Sequence, residues 1–169
     1  AADGVGNVHV VWTGGFPQNE EVFYRAWNGS AWSPIVNLSQ NSGRSRVPAV
    51  AADAKGKVHV VWQDDTNGAI EILYRFWNGS EWSKTLNITV GGMALFPAVA
   101  ADSKGMVHVA WVDETGIVYR RLFGSVTQDT RLSIGSGDSW DPSFATDADG
   151  NPHIVWRFKT TETGSGILH

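Results

Sequence analysis

The chain contains no cysteine. That absence excludes a disulfide framework, a thiolate zinc site and a cysteine nucleophile. Basic runs are missing as well: no stretch holds five or more Lys and Arg, and the net charge is -4. Nucleic acids and anionic membranes both demand clustered positive charge, so neither is expected as a partner. No apolar run approaches the ~20 residues of a membrane-spanning helix, and no segment carries a helical period. Charged residues make up only 18%, against 42% hydrophobic, which argues against disorder. The chain opens at Ala1-Ala2-Asp3, without an initiator Met or a signal peptide, and reads as a processed protein or an excised piece.

What is present is Gly (19) and Trp (9), in a pattern that repeats. Ala1-Ala2-Asp3-Gly4-Val5-Gly6-Asn7-Val8-His9-Val10-Val11-Trp12 returns from Ala51 to Trp62, again from Ala100 to Trp111, and more loosely from Ala145 to Trp156. The aspartate column Asp3, Asp53, Asp102 and Asp147 advances by 50, 49 and 45 residues. A second block, Phe23-Tyr24-Arg25-Ala26-Trp27-Asn28-Gly29-Ser30-Ala31-Trp32-Ser33, recurs from Leu73 to Ser83; the third copy keeps Val118-Tyr119-Arg120 and then degrades. A period of this length marks a repeat architecture.

Each unit predicts four strands. In the second they are A (48–52), B (58–62), C (70–77) and D (82–89). The A–B connection Asp53-Ala54-Lys55-Gly56 and the C–D connection Asn78-Gly79 are hairpin turn chemistry. Strand B is apolar on both faces, as a sheet packed between two others requires. The predicted fold is an all-β propeller of four-stranded antiparallel blades, about 3.5 in this chain. It forms one domain, 1–169, with blades near 1–40, 46–90, 96–135 and an incomplete 141–169. A third strand of the last blade begins at Gly166-Ile167-Leu168-His169, where His169 could equally be the stub of a tag. Since propellers close with roughly four to eight blades, the ring is expected to be completed by a second copy of the chain or by missing sequence.

The string Pro48-Ala49-Val50-Ala51-Ala52-Asp53-x-x-Gly56-x-Val58-His59-Val60-Val61-Trp62, then Tyr74-Arg75 and Asn78-Gly79-Ser80-x-Trp82-Ser83, resembles the sialidase-like propellers, the bacterial neuraminidase repeat. The Asn-Gly-Ser-x-Trp-Ser segments look like a worn Asp box without its Asp. The resemblance implies the propeller fold and is shared by enzymes, sugar binders and cell-surface proteins.

Repetition sorts residues into structure and candidate site. The histidines His9, His59, His108 and His153, the Trp12, Trp62, Trp111 and Trp156 column, and the three Tyr-Arg pairs recur in blade after blade. They read as packing and pairing, with the histidines buried and hydrogen-bonded. The aspartate column reads as turns, including Asp147-Ala148-Asp149-Gly150-Asn151, which opens like a calcium loop but lacks its downstream Glu. Four Asn-x-Ser/Thr acceptor sequences, at Asn28, Asn37, Asn78 and Asn87, are accounted for by duplicated turn and edge-strand chemistry. Neither a cofactor nor a metal site is expected.

The single-copy residues lie in the D–A and B–C loops, which in a propeller surround the central channel on one face. The candidate ligand-binding set there is Arg44, Arg46, Asp64, Asp65, Asp138, Trp140 and Asp141. Trp140 can offer a stacking platform for a sugar, with acids and arginines for its hydroxyls. Non-catalytic glycan recognition is therefore the expected function, outside the cell, on its surface or in a periplasm, with self-association. Two alternatives stand beside it. One is a sialidase-type glycosidase, because Arg46-Val47-Pro48 resembles that family's Arg-Ile-Pro motif and would make Arg46 a carboxylate clamp; against it, no catalytic residue set is complete, since all three tyrosines belong to the repeat. The other is a protein-interaction scaffold.

Overall fold

The computed structural model describes residues 1–89, 91–123, 125–126, 129–133, 138–160 and 164–168, with the side chains of 123, 125–126, 138, 160 and 164–168 outside the description. His169 lies outside the described residues. Every described element is a strand, and the strands form four antiparallel sheets in chain order. Sheet 1 holds β1 (Val8–Phe16), β2 (Asn19–Trp27) and β3 (Val36–Asn37), and an Ala2–Val8 bridge pairs the residues before β1 with it. Sheet 2 holds β4 (Ser45–Ala52), β5 (Val58–Asp64), β6 (Glu71–Trp77) and β7 (Leu86–Asn87). In sheet 3, β8 (Leu95–Ala101), β9 (Val107–Asp113) and β10 (Gly116–Phe123) are edged by the short β11 (Ser125–Val126) and β12 (Thr130–Arg131). Sheet 4 holds β13 (Asp138–Thr146), β14 (Pro152–Thr160) and β15 (Gly164–Leu168).

The turns form as their residues dictate. Asp53 Oδ1 accepts from the amides of Lys55 and Lys57 at 2.8 and 2.9 Å, closing the first hairpin of sheet 2. Asn78 Oδ1 accepts from the amides of Ser80 and Glu81 at 2.9 and 3.0 Å. Asparagine thus does the turn-closing work of the absent box aspartate.

Two strands differ from the sequence expectation. The outer strand is shorter: only β7 and a Trp77–Trp82 bridge pair where eight residues were expected. The reason is side-chain competition, because Ser83 Oγ takes the Phe76 amide at 3.1 Å while Arg75 Nε donates to the Ser83 carbonyl at 2.7 Å. The first strand is longer, starting at Ser45, and it is bulged between Arg46 and Ala49. The same break recurs between Leu95 and Ala98 and between Trp140 and Ser143. Inside each bulge the residue before proline, Val47, Phe96 or Asp141, has φ near +50°: 51°, 52° and 50°. A left-handed β-branched Val is a strained conformation, tolerated here because proline has no amide to lend the ladder.

Neighbouring sheets approach chiefly through their first strands: β4 packs on β8, and β8 on β13. The short outer strands take little part. The sheets therefore fan out like wedges around an axis. Each junction is a separate apolar core. Val58, Val60 and Trp62 of sheet 2 bury against Val22, Tyr24 and Leu38 of sheet 1. Val109 and Trp111 of sheet 3 meet Val61, Ile72 and Tyr74 of sheet 2, and Trp156 of sheet 4 meets Ala110 and Ile117. Arginines stitch the same junctions, since Arg75 Nη1 donates to the Leu38 carbonyl at 2.8 Å and Arg120 Nη1 to that of Ile88.

The repeated histidines are buried in sheets 1 to 3, where Nδ1 of His9, His59 and His108 lies 2.8 Å from the hydroxyl of Tyr24, Tyr74 and Tyr119. His153 departs from the expectation, with 65% of its side chain exposed, because among the described residues no fifth sheet covers it. Burial pulls the His59 imidazole down to about 4 from 6.5. The sign follows from linkage: between those values the unfolded chain binds a proton that the folded one refuses, so stability is full above pH ~6.5 and falls as pH drops toward 4. Urea unfolding at pH 7.5 and pH 4.5 is expected to show a loss of up to ~3 kcal/mol attributable to this group, and His59→Gln is expected to flatten that part of the slope.

Candidate functional site

The loop face holds the residues singled out from the sequence, and most of them are already engaged with protein. Arg44 Nε donates to Asp65 Oδ2 at 2.8 Å, and its amide to Oδ1 at 2.7 Å. Asp64 is buried and saturated: Asn41 Nδ2 at 2.7 Å, Ser45 Oγ at 2.5 Å, Trp62 Nε1 at 3.2 Å and the Thr66 amide at 3.0 Å all donate to it. Burial by itself would raise its pKa, but these hydrogen bonds hold it below the ordinary carboxylate value. Arg46 Nε lies 3.5 Å from Glu20 Oε2, an ion pair linking sheets 1 and 2. Asp141 accepts from Arg157 Nη2 at 2.6 Å, and the Arg157 guanidinium lies 5.8 Å from the Trp140 ring. Asp138 opens β13 opposite Lys159; its side chain is outside the description. Arg44 and Asp65 thus meet within sheet 2, and Trp140, Asp141 and Arg157 within sheet 4.

A polar cleft of about 320 Å³ lies beside sheet 3, walled by Trp111, Met93 and two ion pairs. Arg131 meets Asp113 at 3.0 and 3.2 Å, and Arg120 meets Asp129 at 2.5 and 2.7 Å. These four charges satisfy one another, and Glu114 is a further acid in the lining. Among the described residues no group of three or more His, Asp or Glu is arranged to hold a metal ion.

A different cleft, about 350 Å³, opens between sheets 1 and 2 on the side of the Asp and Asn hairpin turns. One wall is aromatic: Trp77 and Trp82 of sheet 2, with Trp27 of sheet 1 at the edge of the cleft. Trp77 and Trp82 are held 5.8 Å apart by the hairpin that bridges them, and Trp82 meets Tyr24 edge-on at 4.9 Å across the junction. The other wall is polar and comes from sheet 1: Asp3, Asn7, His9 and Tyr24, with Asn28 at the rim. Asn7 Nδ2 donates to Asp3 Oδ2 at 2.7 Å, and His9 Nε2 lies 3.3 Å from the same oxygen. The carboxylate favours the His9 tautomer with a proton on Nε2, so Nδ1 accepts from the Tyr24 hydroxyl. Burial lowers the His9 pKa, outweighing the pull of Asp3, and the ring is neutral. No Lys or Arg lines this cleft. None of the seven residues singled out from the sequence lines it or the polar cleft.

No protein-family model matches the chain. No curated protein matches it either. Solved structures do. A fucose lectin from Kordia zhangzhouensis, in complex with methyl-fucoside, superposes over 79% of this chain and 97% of its own at a TM-score of 0.52 and 19% identity. An endo-arabinase from Bacteroides thetaiotaomicron covers 96% of this chain, with 69% of its own length matched, at 0.60 and 12%. The NanB sialidase from Streptococcus pneumoniae covers 89%, with 25% of its own length matched, at 0.56 and 14%. The fold is a β-propeller. The four described sheets are its blades, and among the described residues they do not close a ring.

Propeller geometry explains why one junction differs from the next. In blade 3, Leu122 pairs with Val107 where Trp77 pairs with Val58, so the cleft between blades 2 and 3 has no second tryptophan at that place. Sorting residues by repetition hid the aromatic cleft, because each of its members recurs while their combination does not. The available signal was the third copy's loss of the Trp-Asn-Gly-Ser-x-Trp segment, which confines paired Trp hairpins to blades 1 and 2. The three tyrosines are tied to histidines, and burial pushes the Tyr24 hydroxyl up to about 12 and Tyr74 higher still. A tyrosine held this way is a poor nucleophile near neutral pH.

Proposed function

We propose that this propeller is a non-catalytic glycan-recognition module, and that the Trp77–Trp82 cleft between blades 1 and 2 is where it holds a sugar. The observation that carries the reading is a pair of tryptophans, Trp77 and Trp82 of blade 2, facing a hydrogen-bonded polar wall of blade 1. A pyranose or furanose presents an apolar face to stack on indole and hydroxyls to meet Asn7, Tyr24 and Asn28. The lack of a cation in the lining suits a neutral sugar better than one bearing a carboxylate. Structural neighbours whose names concern fucose, arabinan and sialic acid lend the fold a glycan context. We place the protein outside the cell or at its surface, where such ligands are presented, with a second copy or further sequence completing the ring. Arg44, Arg46, Asp65, Asp138, Trp140 and Asp141 are proposed to border the channel as a secondary contact surface, with Asp64 buried behind them as a hydrogen-bonded support, and Trp140 and Arg157 offer its stacking element.

Calorimetric titration with methyl-fucoside and a panel of neutral methyl glycosides, alongside sialyl and uronic glycosides, tests the reading. Saturable binding of at least one neutral glycoside is expected, with no release of product from fluorogenic sialosides or arabinosides. Absence of binding across the panel overturns the glycan reading, and turnover overturns the non-catalytic one.

A further inference from the structure

The two open faces of the arc carry complementary halves of the aromatic cleft. Blade 1 exposes on its outer side the pair Trp27 and Trp32, 5.7 Å apart and tilted as Trp77 and Trp82 are, around a hollow of about 220 Å³ floored by Val8. Arg25 sits 5.6 Å over Trp32, as Arg75 sits 6.0 Å over Trp82. Among the described residues nothing stands opposite this aromatic wall, and Trp32 is 45% exposed.

Blade 4 carries the Asp-Asn-His part of such a polar wall. Asn151 Nδ2 donates to Asp147 Oδ2 at 2.8 Å and His153 Nε2 lies 3.3 Å from that oxygen, matching Asn7, Asp3 and His9 in blade 1. Blades 2 and 3 have Lys57 and Met106 where these two have asparagine. The Asp-Asn-His triplet thus occurs in the blade that already faces a Trp pair and in the blade whose outward face no described sheet covers.

We propose that a second copy of this chain seats its blade 4 on blade 1, so that Asp147, Asn151 and His153 of one copy and Trp27 and Trp32 of the other complete a second sugar-binding cleft. The contact also covers Val8 and Val10, which stand 40% and 38% exposed, whereas their counterparts Val58 and Val60 are fully buried under the preceding blade. Two such contacts close a ring by symmetry. The inference rests on the glycan reading for its ligand but not for its geometry.

The test combines mass, stoichiometry and complementation. Wild-type chain is expected to sediment as a pair and to take two molecules of methyl-fucoside, or of a neutral methyl glycoside that binds in the panel, per chain. Trp32→Ala and Asn151→Ala are each expected to remove one equivalent and leave the other, whereas Trp82→Ala removes the complementary one. A purified hetero-pair of one Trp32→Ala chain and one Asn151→Ala chain has one intact junction and is expected to regain one shared cleft per pair. A single equivalent per chain that survives both edge substitutions overturns the proposal. If no glycoside binds anywhere, the glycan reading alone has failed, and geometry is decided by cross-linking. The chain lacks cysteine, so a Trp32→Cys, Asn151→Cys double variant treated with a short bismaleimide is expected to join copies end to end; a protein that stays monomeric and unlinked overturns the pairing.

Discussion

Replacing Trp82 with alanine is expected to weaken glycoside binding by at least roughly 30-fold, about 2 kcal/mol, the scale of a buried aromatic anchor. Trp82 is chosen because it works on both sides of the junction: it walls the cleft and meets Tyr24 edge-on at 4.9 Å. Its loss removes the stacking surface and frees the ring that aligns the polar wall. Trp82→Phe keeps a smaller π-face at the same hairpin and is expected to recover part of the affinity. Trp140→Ala, on the loop face, is expected to leave affinity at the cleft within twofold. The measurement is calorimetric titration of the three variants. Equal binding by Trp82→Ala and wild type would remove the cleft from the glycan reading, and a selective loss in Trp140→Ala would move the site to the loop face.

The second large effect concerns stability. Trp62→Ala is expected to cost about 3–5 kcal/mol in urea unfolding, the usual consequence of emptying a core filled by a large aromatic. Trp62 is fully buried between Val22, Tyr24 and Leu38 of blade 1 and its own sheet, and its indole nitrogen donates to Asp64 at 3.2 Å, so the substitution also strips a partner from a buried carboxylate. Trp12 is the same residue of the same repeat, yet it belongs to blade 1, whose outer side is covered by no sheet among the described residues. Trp12→Ala is therefore expected to cost less than half as much in the isolated chain. Similar costs at the two positions would mean that blade 1 is covered in solution, and the comparison doubles as a check on ring closure.

Much of this was legible without coordinates, and the reason is physical. Asp53 and Asn78 sit in turns because their short side chains reach their own backbone amides, a local interaction that needs no tertiary information. Val58-His59-Val60-Val61-Trp62 reads as a doubly covered strand because both of its faces are apolar or hydrogen-bonded to a repeat partner. Strand D was overestimated because its lateral pairing is displaced by Ser83 Oγ and Arg75, a competition that depends on where the side chains of β6 point. The loop residues were legible as single-copy, but their partners were not. That Asp64 is saturated by Asn41, Ser45, Trp62 and Thr66 is a fact of how two loops meet.

By itself the sequence determined the period, the hairpins and the division of each blade into apolar strands, because these follow from turn chemistry and from the alternation of side chains along an extended backbone. Only the tertiary structure decided which repeated residues face each other across a junction. Trp77 and Trp82 are ordinary members of their columns until two blades stack, and it is the stacking that turns two packing residues and an Asp-Asn-His turn into one cavity. A cleft between sheets is a property of pairs of blades, and no single copy of the repeat contains it.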